Sequence, residues 1–410
     1  MTTATSIVFA NGLLIRPGAI VCGWLRCERG RIVAWGPGDC AARDVARVDL
    51  HGAYLAPGFI DLHVHGGDGA DFMDGTADDF ATVLAAHLRH GTTSLLPTST
   101  VARHEQICRF LELCSTFKKT MAASSGEPMA RVLGAHLYGP YFAPTARGCH
   151  PAAPLRCPES REVQRFLEWS DAICTATIAP ELPGAEAFAR ACAARGVRLN
   201  VGHSHATFDQ MVEAIRWGVR HVDHLFCAMS DRARLRQTQH YPMRGGVMEA
   251  TLFFDELTTE IIADGKHLAP ELLRLAAKVK GPDRLALVTD ANRALDMPDG
   301  EYIFGPQDGG EPMRKRDGVG LTLDGNGLAS GVMGLDHAVR VMHAATHLPL
   351  YEVIRMVTLT PARIAGFEDD IGSLDSGKRA DFVVLDQNLQ VQAVYRDGMV
   401  VHPQPMASHG

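Results

Sequence analysis

The run Ala56-Pro57-Gly58-Phe59-Ile60-Asp61-Leu62-His63-Val64-His65-Gly66-Gly67 decides the fold of this chain. Alternate residues of a strand project to the same face. A strand over 59–65 therefore aims His63 and His65 one way, where both imidazoles can close on a single metal ion. Two unrelated histidines on a half-buried strand would give the same short pattern, so the rest of the chain has to separate the two.

Downstream of this run, short apolar segments alternate with helical ones. Residues 93–98 precede a helix near 102–120, and 131–137 follow. Then 172–178 precede a helix near 184–195, and 197–202 precede one over 207–217. The segments 221–224, 259–263 and 285–289 come last. With 59–65 this makes about eight strand–helix units, which predicts an α/β chain with a parallel sheet closed into a (β/α)8 TIM barrel. A doubly wound open sheet is the competing arrangement, but the chain carries neither GxGxxG nor a P-loop. Both ends read differently, as short strands punctuated by Gly and Pro, with Asp397-Gly398 as a two-residue hairpin signal. The expected organisation is a small β-sandwich domain from 1–55 plus 368–410 around a catalytic barrel over 56–367.

The 410 residues are 46% hydrophobic and 21% charged, with a formal net charge of −7. That is ordinary globular composition without the basic footprint of a nucleic-acid binder. No apolar run approaches the ~18 residues of a membrane span. The ten cysteines are scattered, with no CxxC pair and no charged-then-apolar leader. They read as reduced thiols in the cytoplasm.

In a barrel, reactive groups sit at the C-terminal ends of strands. Those ends read His63-Val64-His65, Gly202-His203-Ser204-His205, Asp223-His224-Leu225 and Thr289-Asp290-Ala291. Four histidines and an aspartate from four strands match the needs of one or two divalent ions. Asp290 has two open roles beside a plain helix cap: metal ligand, or the base that takes a proton from the attacking water and passes it to a leaving nitrogen.

These segments resemble the amidohydrolase superfamily, and within it the N-acetylglucosamine-6-phosphate deacetylases. The similarity spans nearly the whole length. It rests on Pro57-Gly58-Phe59-Ile60-Asp61 with its HxH, Gly91-Thr92-Thr93, Leu96-Pro97-Thr98, Ala179-Pro180-Glu181, and Gly202-His203-Ser204-His205-Ala206-Thr207. It continues through His224-Leu225-Phe226-Cys227-Ala228-Met229, Ile262-Ala263-Asp264-Gly265-Lys266-His267, Leu287-Val288-Thr289-Asp290-Ala291 and Thr360-Pro361-Ala362-Arg363. The resemblance implies a metal-dependent, cytoplasmic hydrolase that removes the N-acetyl group from an amino sugar, N-acetylglucosamine 6-phosphate first. It implies one or two divalent ions, zinc foremost, on His63, His65, His203, His224 and Asp290. It also implies Asp290 as proton shuttle, and a homodimer that binds neither nucleic acid nor membrane.

The chain departs from that family at the centre of the site. Where the family reads HLEGP, with a metal-binding glutamate, this chain reads His136-Leu137-Tyr138-Gly139-Pro140. A neutral phenol with a pKa near ~10 is a poor substitute for an anionic ligand. Either the ion rests with the HxH pair and Asp290, or with all four histidines, or the protein is a sugar-binding relic. Tyr138 is then free to serve the substrate or the oxyanion. By resemblance, His150 is a lid position, and His267 polarises the carbonyl or holds the sugar phosphate. Cys227 and Ala228 stand where the family's asparagine-containing phosphate segment stands. With the asparagine lost, Arg232 in Asp231-Arg232-Ala233-Arg234 is the candidate guanidinium clamp. A different N-acyl sugar or an N-acyl amino acid is the nearest alternative substrate.

Overall fold

The structure is a computed structural model describing residues 6–41, 45–123, 127–238 and 241–403. Residues 1–5 and 404–410 of the two terminal segments lie outside the described residues. The strand Phe59–Val64 is buried along its whole length, as a barrel strand covered on both faces must be. It pairs in parallel with Thr92–Pro97, which pairs with Arg131–Val132. Ala135–Leu137 then leads a parallel series through Ile173–Ile178, Arg198–Val201, Val219–Val222, Thr258–Ile262 and Leu285–Val288. Two parallel bridges, Thr98 to His136 and Val64 to Ala291, close the ring. The segment 131–137 is one strand position broken at Gly134, so eight positions form the barrel. The predicted (β/α)8 arrangement is thus observed, and the open sheet is excluded.

Helices cover the barrel by the usual amphipathic logic. In Ala77–Arg89, Phe80, Val83, Leu84 and Leu88 are buried at three- and four-residue spacing. Phe208–Trp217 starts at a capping box. Gln210 N donates to Thr207 Oγ1 and Thr207 N donates to Gln210 Oε1, and Gly218 in the left-handed region ends the helix. The loop that carries His203 is therefore fixed at its far end by an anchored helix.

Both termini contribute strands to one sheet. Its order is Met399–Pro403, Val391–Arg396, Phe382–Leu385, Tyr54–Pro57, Ser6–Arg16, Ala19–Glu28 and Arg31–Pro37, with Ala46–Asp49 also on Ser6–Arg16. Asp397 and Gly398 both have positive φ and form the anticipated hairpin. Tyr54–Pro57 runs through Gly58 straight into the first barrel strand. A Cβ at Gly58 would come within 2.1 Å of Thr93 Oγ1, so only glycine lets the chain pass from sheet to barrel here. A three-stranded antiparallel insert, Gly300–Phe304, Glu311–Arg316 and Val319–Thr322, follows the last barrel strand and was not anticipated. Its turn signal, Asp317-Gly318, is of the same kind as Asp397-Gly398.

The sheet and barrel are clasped by charge. Arg131, on a barrel strand, reaches Asp381 at 2.5 Å and Asp397 at 3.0 Å, all three side chains largely buried. Breaking a buried pair leaves an uncompensated charge and costs about 3–5 kcal/mol. Arg131→Met is therefore expected to lower unfolding free energy by about that amount in urea titrations. A loss near zero would show that solvent reaches the two aspartates.

Candidate active site at the barrel mouth

The five residues picked from strand ends converge. His63 ends Phe59–Val64 with His65 just beyond; His203 follows Arg198–Val201, His224 follows Val219–Val222, and Asp290 follows Leu285–Val288. All five are buried. Ring centroids are 5.2 Å apart for His63 and His65, 5.4 Å for His63 and His224, and 5.0 Å for His203 and His224. His203, His224 and Asp290 have φ of +45°, +24° and +47°. Non-glycine residues there cost of order 1–3 kcal/mol each, and such strain gathers at functional sites. Gly202 precedes His203 because a Cβ would lie 2.4 Å from Asp223 Oδ2.

Three of the histidines are tethered through Nδ1. His63 Nδ1 lies 2.6 Å from Glu260 Oε1, His65 Nδ1 lies 3.2 Å from the Thr98 carbonyl, and His203 Nδ1 lies 2.7 Å from the Ala146 carbonyl. Acceptors on Nδ1 require a proton there, which leaves each Nε2 as the donor atom for a ligand. His65 Nε2 is 3.2 Å and His63 Nε2 is 3.6 Å from Asp290 Oδ1. The ligand atoms of His63, His65 and Asp290 all lie within 4.8 Å of one another. His63 Nε2 is buried with no hydrogen-bond partner, a vacancy in its bonding that a cation fits. Two imidazoles and a carboxylate are a donor set suited to zinc and its neighbours, with coordination positions left for water and substrate.

Tyr138 shapes the other wall. Its hydroxyl lies 2.6 Å from His224 Nε2. Burial, and then the carboxylates of Asp223, Asp290 and Glu260, keep the phenol protonated far above neutrality. The phenol therefore donates, and the His224 nitrogen is already engaged. Burial, with His63 nearby, lowers His224 to about 4. At His63 burial acts in the same sense, but the Glu260 and Asp290 carboxylates outweigh it and raise the ring's pKa to about 9, so a cation at Nε2 would bind by displacing that second proton. Burial works against the Asp290 carboxylate, yet His63, His65 and His224 keep it ionised well below the usual range.

These groups face a cavity of about 460 Å³ whose lining includes His65, Tyr138, His203, His224 and Asp290. His150, Cys227, Ala228 and His267 line it too. His267 Nδ1 is 2.8 Å from Asp264 Oδ2. Despite burial, that contact raises the imidazole's proton affinity. Arg232 does not line the cavity. In the short helix Arg232–Leu235 its Nη1 turns to Met243 Sδ at 3.8 Å. Residues two apart on a helix do not share a face. Arg234 is the guanidinium on the cavity wall, donating to the Thr145 carbonyl at 3.2 Å beside His205. The guanidinium expected on the cavity from Arg232 is thus Arg234 instead, because the helix turns Arg232 away.

Several partners escaped the strand-end reading. Ser330 Oγ donates to Asp290 Oδ1 at 3.0 Å, and Phe304 of the antiparallel insert lines the cavity. Asp264 holds His267. Glu260 lies wholly inside the barrel. Its signal was present, since a carboxylate within the apolar run Thr259-Glu260-Ile261-Ile262 is seldom buried without a partner.

Comparisons with known proteins agree with this geometry. The Amidohydrolase family profile matches residues 54–401. The chain is 34% identical to the N-acetylgalactosamine-6-phosphate deacetylase of Escherichia coli O157:H7, over 97% of this chain and 99% of that protein. It is also 34% identical to the human N-acetylglucosamine-6-phosphate deacetylase, over 97% and 96%. The crystal structure of the Mycobacterium smegmatis N-acetyl-D-glucosamine-6-phosphate deacetylase superposes with a TM-score of 0.85 at 31% identity, covering 97% of this chain and all of that one. The Pasteurella multocida enzyme superposes with a TM-score of 0.88 at 26% identity, over 96% and 99%. The chain belongs to the amidohydrolase family, in the group of the N-acetylglucosamine-6-phosphate deacetylases.

Proposed function

We propose that the chain hydrolyses the acetamide of N-acetyl-D-glucosamine 6-phosphate to acetate and the free amino sugar phosphate, using one zinc ion held by His63, His65 and Asp290. The observation that carries this reading is the set of three buried ligand atoms within 4.8 Å, one of them an imidazole nitrogen with no partner, at the wall of a 460 Å³ cavity. Such an ion, when bound, lowers the pKa of a water from ~15.7 to near ~7 and polarises a carbonyl.

The chain's own groups supply the remaining steps. Asp290, ionised and held at Oδ1 by Ser330, accepts the proton of the attacking water and returns it to the amide nitrogen as the C–N bond breaks. His267, whose affinity for a proton Asp264 raises through Nδ1, is the cavity-wall group placed to donate to the oxygen that becomes negative. Arg234 gives the cavity a cationic side suited to a phosphate, and His205, kept neutral by burial and by Arg234 with its pKa lowered to about 4, stands beside it. His203 offers its Nε2 to the same cavity, whereas Tyr138 occupies that of His224, so a second ion lacks a ligand set. The ten unpaired cysteines suit a cytoplasmic enzyme. The exposed Tyr241, Met243 and Phe253 are apolar surface that a second copy in a homodimer would cover.

Asp290→Asn keeps a neutral Oδ1 for the ion but cannot take a proton. It is expected to lower kcat by roughly 10²–10⁴-fold with bound zinc retained; wild-type turnover in this variant would remove Asp290 from proton transfer. Elemental analysis is expected to find one zinc per chain. Chelation should abolish acetate release, and one equivalent of zinc should restore it. Two ions per chain would show that His203 and His224 bind their own. Acetate release across N-acetylglucosamine and N-acetylgalactosamine, each with and without 6-phosphate, is expected to be greatest with N-acetylglucosamine 6-phosphate. Release only from other N-acyl compounds would reassign the substrate.

A further inference from the structure

We propose that Glu260 is a positioning residue which, from inside the barrel, fixes His63 as an Nε2 ligand; this rests on the metal reading above. Glu260 stands on Thr258–Ile262, and Leu285–Val288 lies between that strand and Phe59–Val64. The 2.6 Å contact from Glu260 Oε1 to His63 Nδ1 therefore crosses the barrel interior instead of running between neighbouring strands. The same carboxylate reaches His221 Nε2 at 3.2 Å through Oε2, and Oε1 accepts from the His224 backbone N–H at 3.4 Å. One buried anion thus ties its own strand to two others, through the His63 and His221 side chains and the His224 backbone.

The chemical consequence is directional. An ionised carboxylate only accepts, so His63 must carry its proton on Nδ1, and its Nε2 lone pair points toward His65 and Asp290. His65 and His203 reach the same tautomer through neutral carbonyls. Only His63 among the three has a carboxylate behind it, which makes its imidazole the strongest donor of the set. Burying an ion costs several kcal/mol unless its lone pairs are satisfied, and both Glu260 oxygens are. His221, Asp223 and Glu260 also lie close enough together to hold an ion of their own. Their atoms are already spent, however. Asp223 accepts from Asn200 at 2.8 Å and Thr177 at 2.6 Å, and His221 Nδ1 pairs with Thr258 at 2.8 Å. The cluster is closed by hydrogen bonds and works as the support of His63.

The test uses the full chain with zinc and cobalt(II) as probes. In zinc-loaded wild type labelled with 15N-histidine, the resonance that disappears in His63→Gln is expected to be a downfield Nδ1–H. Glu260→Gln, which keeps an acceptor, is expected to weaken zinc binding about 10-fold, and Glu260→Met about 100-fold, in chelator competition. Both should shift the visible bands of the cobalt(II) protein, which a merely structural residue would leave in place. If Glu260→Met fails to fold, Glu260→Gln and the wild-type resonance still decide. Zinc affinity within about twofold of wild type with unmoved cobalt bands, an Nε2–H tautomer at His63, or a second zinc ion lost with Glu260 would each overturn the proposal. A wild-type chain that takes up no zinc would sink the metal reading itself, and the wild-type titration alone tells that failure apart.

Discussion

A histidine in a dry cavity is useful only when one of its two nitrogens is committed. In this barrel the commitment is made on the protein side. Nδ1 of His63, His65 and His203 each faces an acceptor, so three lone pairs turn toward a single space. Without those tethers burial alone would leave neutral rings of undefined tautomer, and the cluster would be a set of core histidines. The acceptors come from elements far apart in sequence: Glu260, Thr98 and the carbonyl of Ala146. The site therefore exists only once the barrel has closed.

The backbone bears part of the cost. His203, His224 and Asp290 sit in the left-handed region where their strands end, and this bends each side chain across the mouth instead of letting it continue along the strand. Gly202 and Gly58 mark two places where no Cβ can be accommodated, one beside Asp223 and the other where the terminal sheet passes into the first barrel strand. The strain is held by what lies behind it. The Thr207–Gln210 capping box fixes the helix after His203, and Ser330 holds Asp290 by both its backbone carbonyl and its side chain.

Periodicity made much of this legible. Buried parallel strands leave continuous apolar runs, and the polar residue ending each run marks the mouth, which is why His63, His65, His203, His224 and Asp290 could be gathered before any coordinates. The antiparallel insert after Asp290 was missed because its strands are half exposed and alternate weakly. Arg232 was chosen over Arg234 because a run of arginines carries no phase until the short helix fixes which one faces inward. Glu260 is hidden because it stands mid-strand instead of at a strand end, and its partner His63 lies 197 residues away. Contacts that cross a barrel leave no local pattern.

Charge balance gives Tyr138 a physical sense. Glu260 and Asp290 are both ionised beside the His63–His65 wall, since His63 holds each below the usual carboxylate range against the penalty of burial. Asp223, raised to about 7 by burial and by Glu260, is already at the limit of what the interior tolerates as an anion. A dication on His63 Nε2 would take the place of the second proton of His63 and balance these two carboxylates. A second dication on the opposite wall would need a further carboxylate, and position 138 is where one would reach His224; a phenol there stays neutral and donates a hydrogen bond to the ring instead. An unpaired excess charge of either sign is what a buried site cannot sustain. On the proposed reading, the tyrosine therefore keeps the site neutral with a single ion, and the ion belongs with the histidines that Glu260 and Asp290 face.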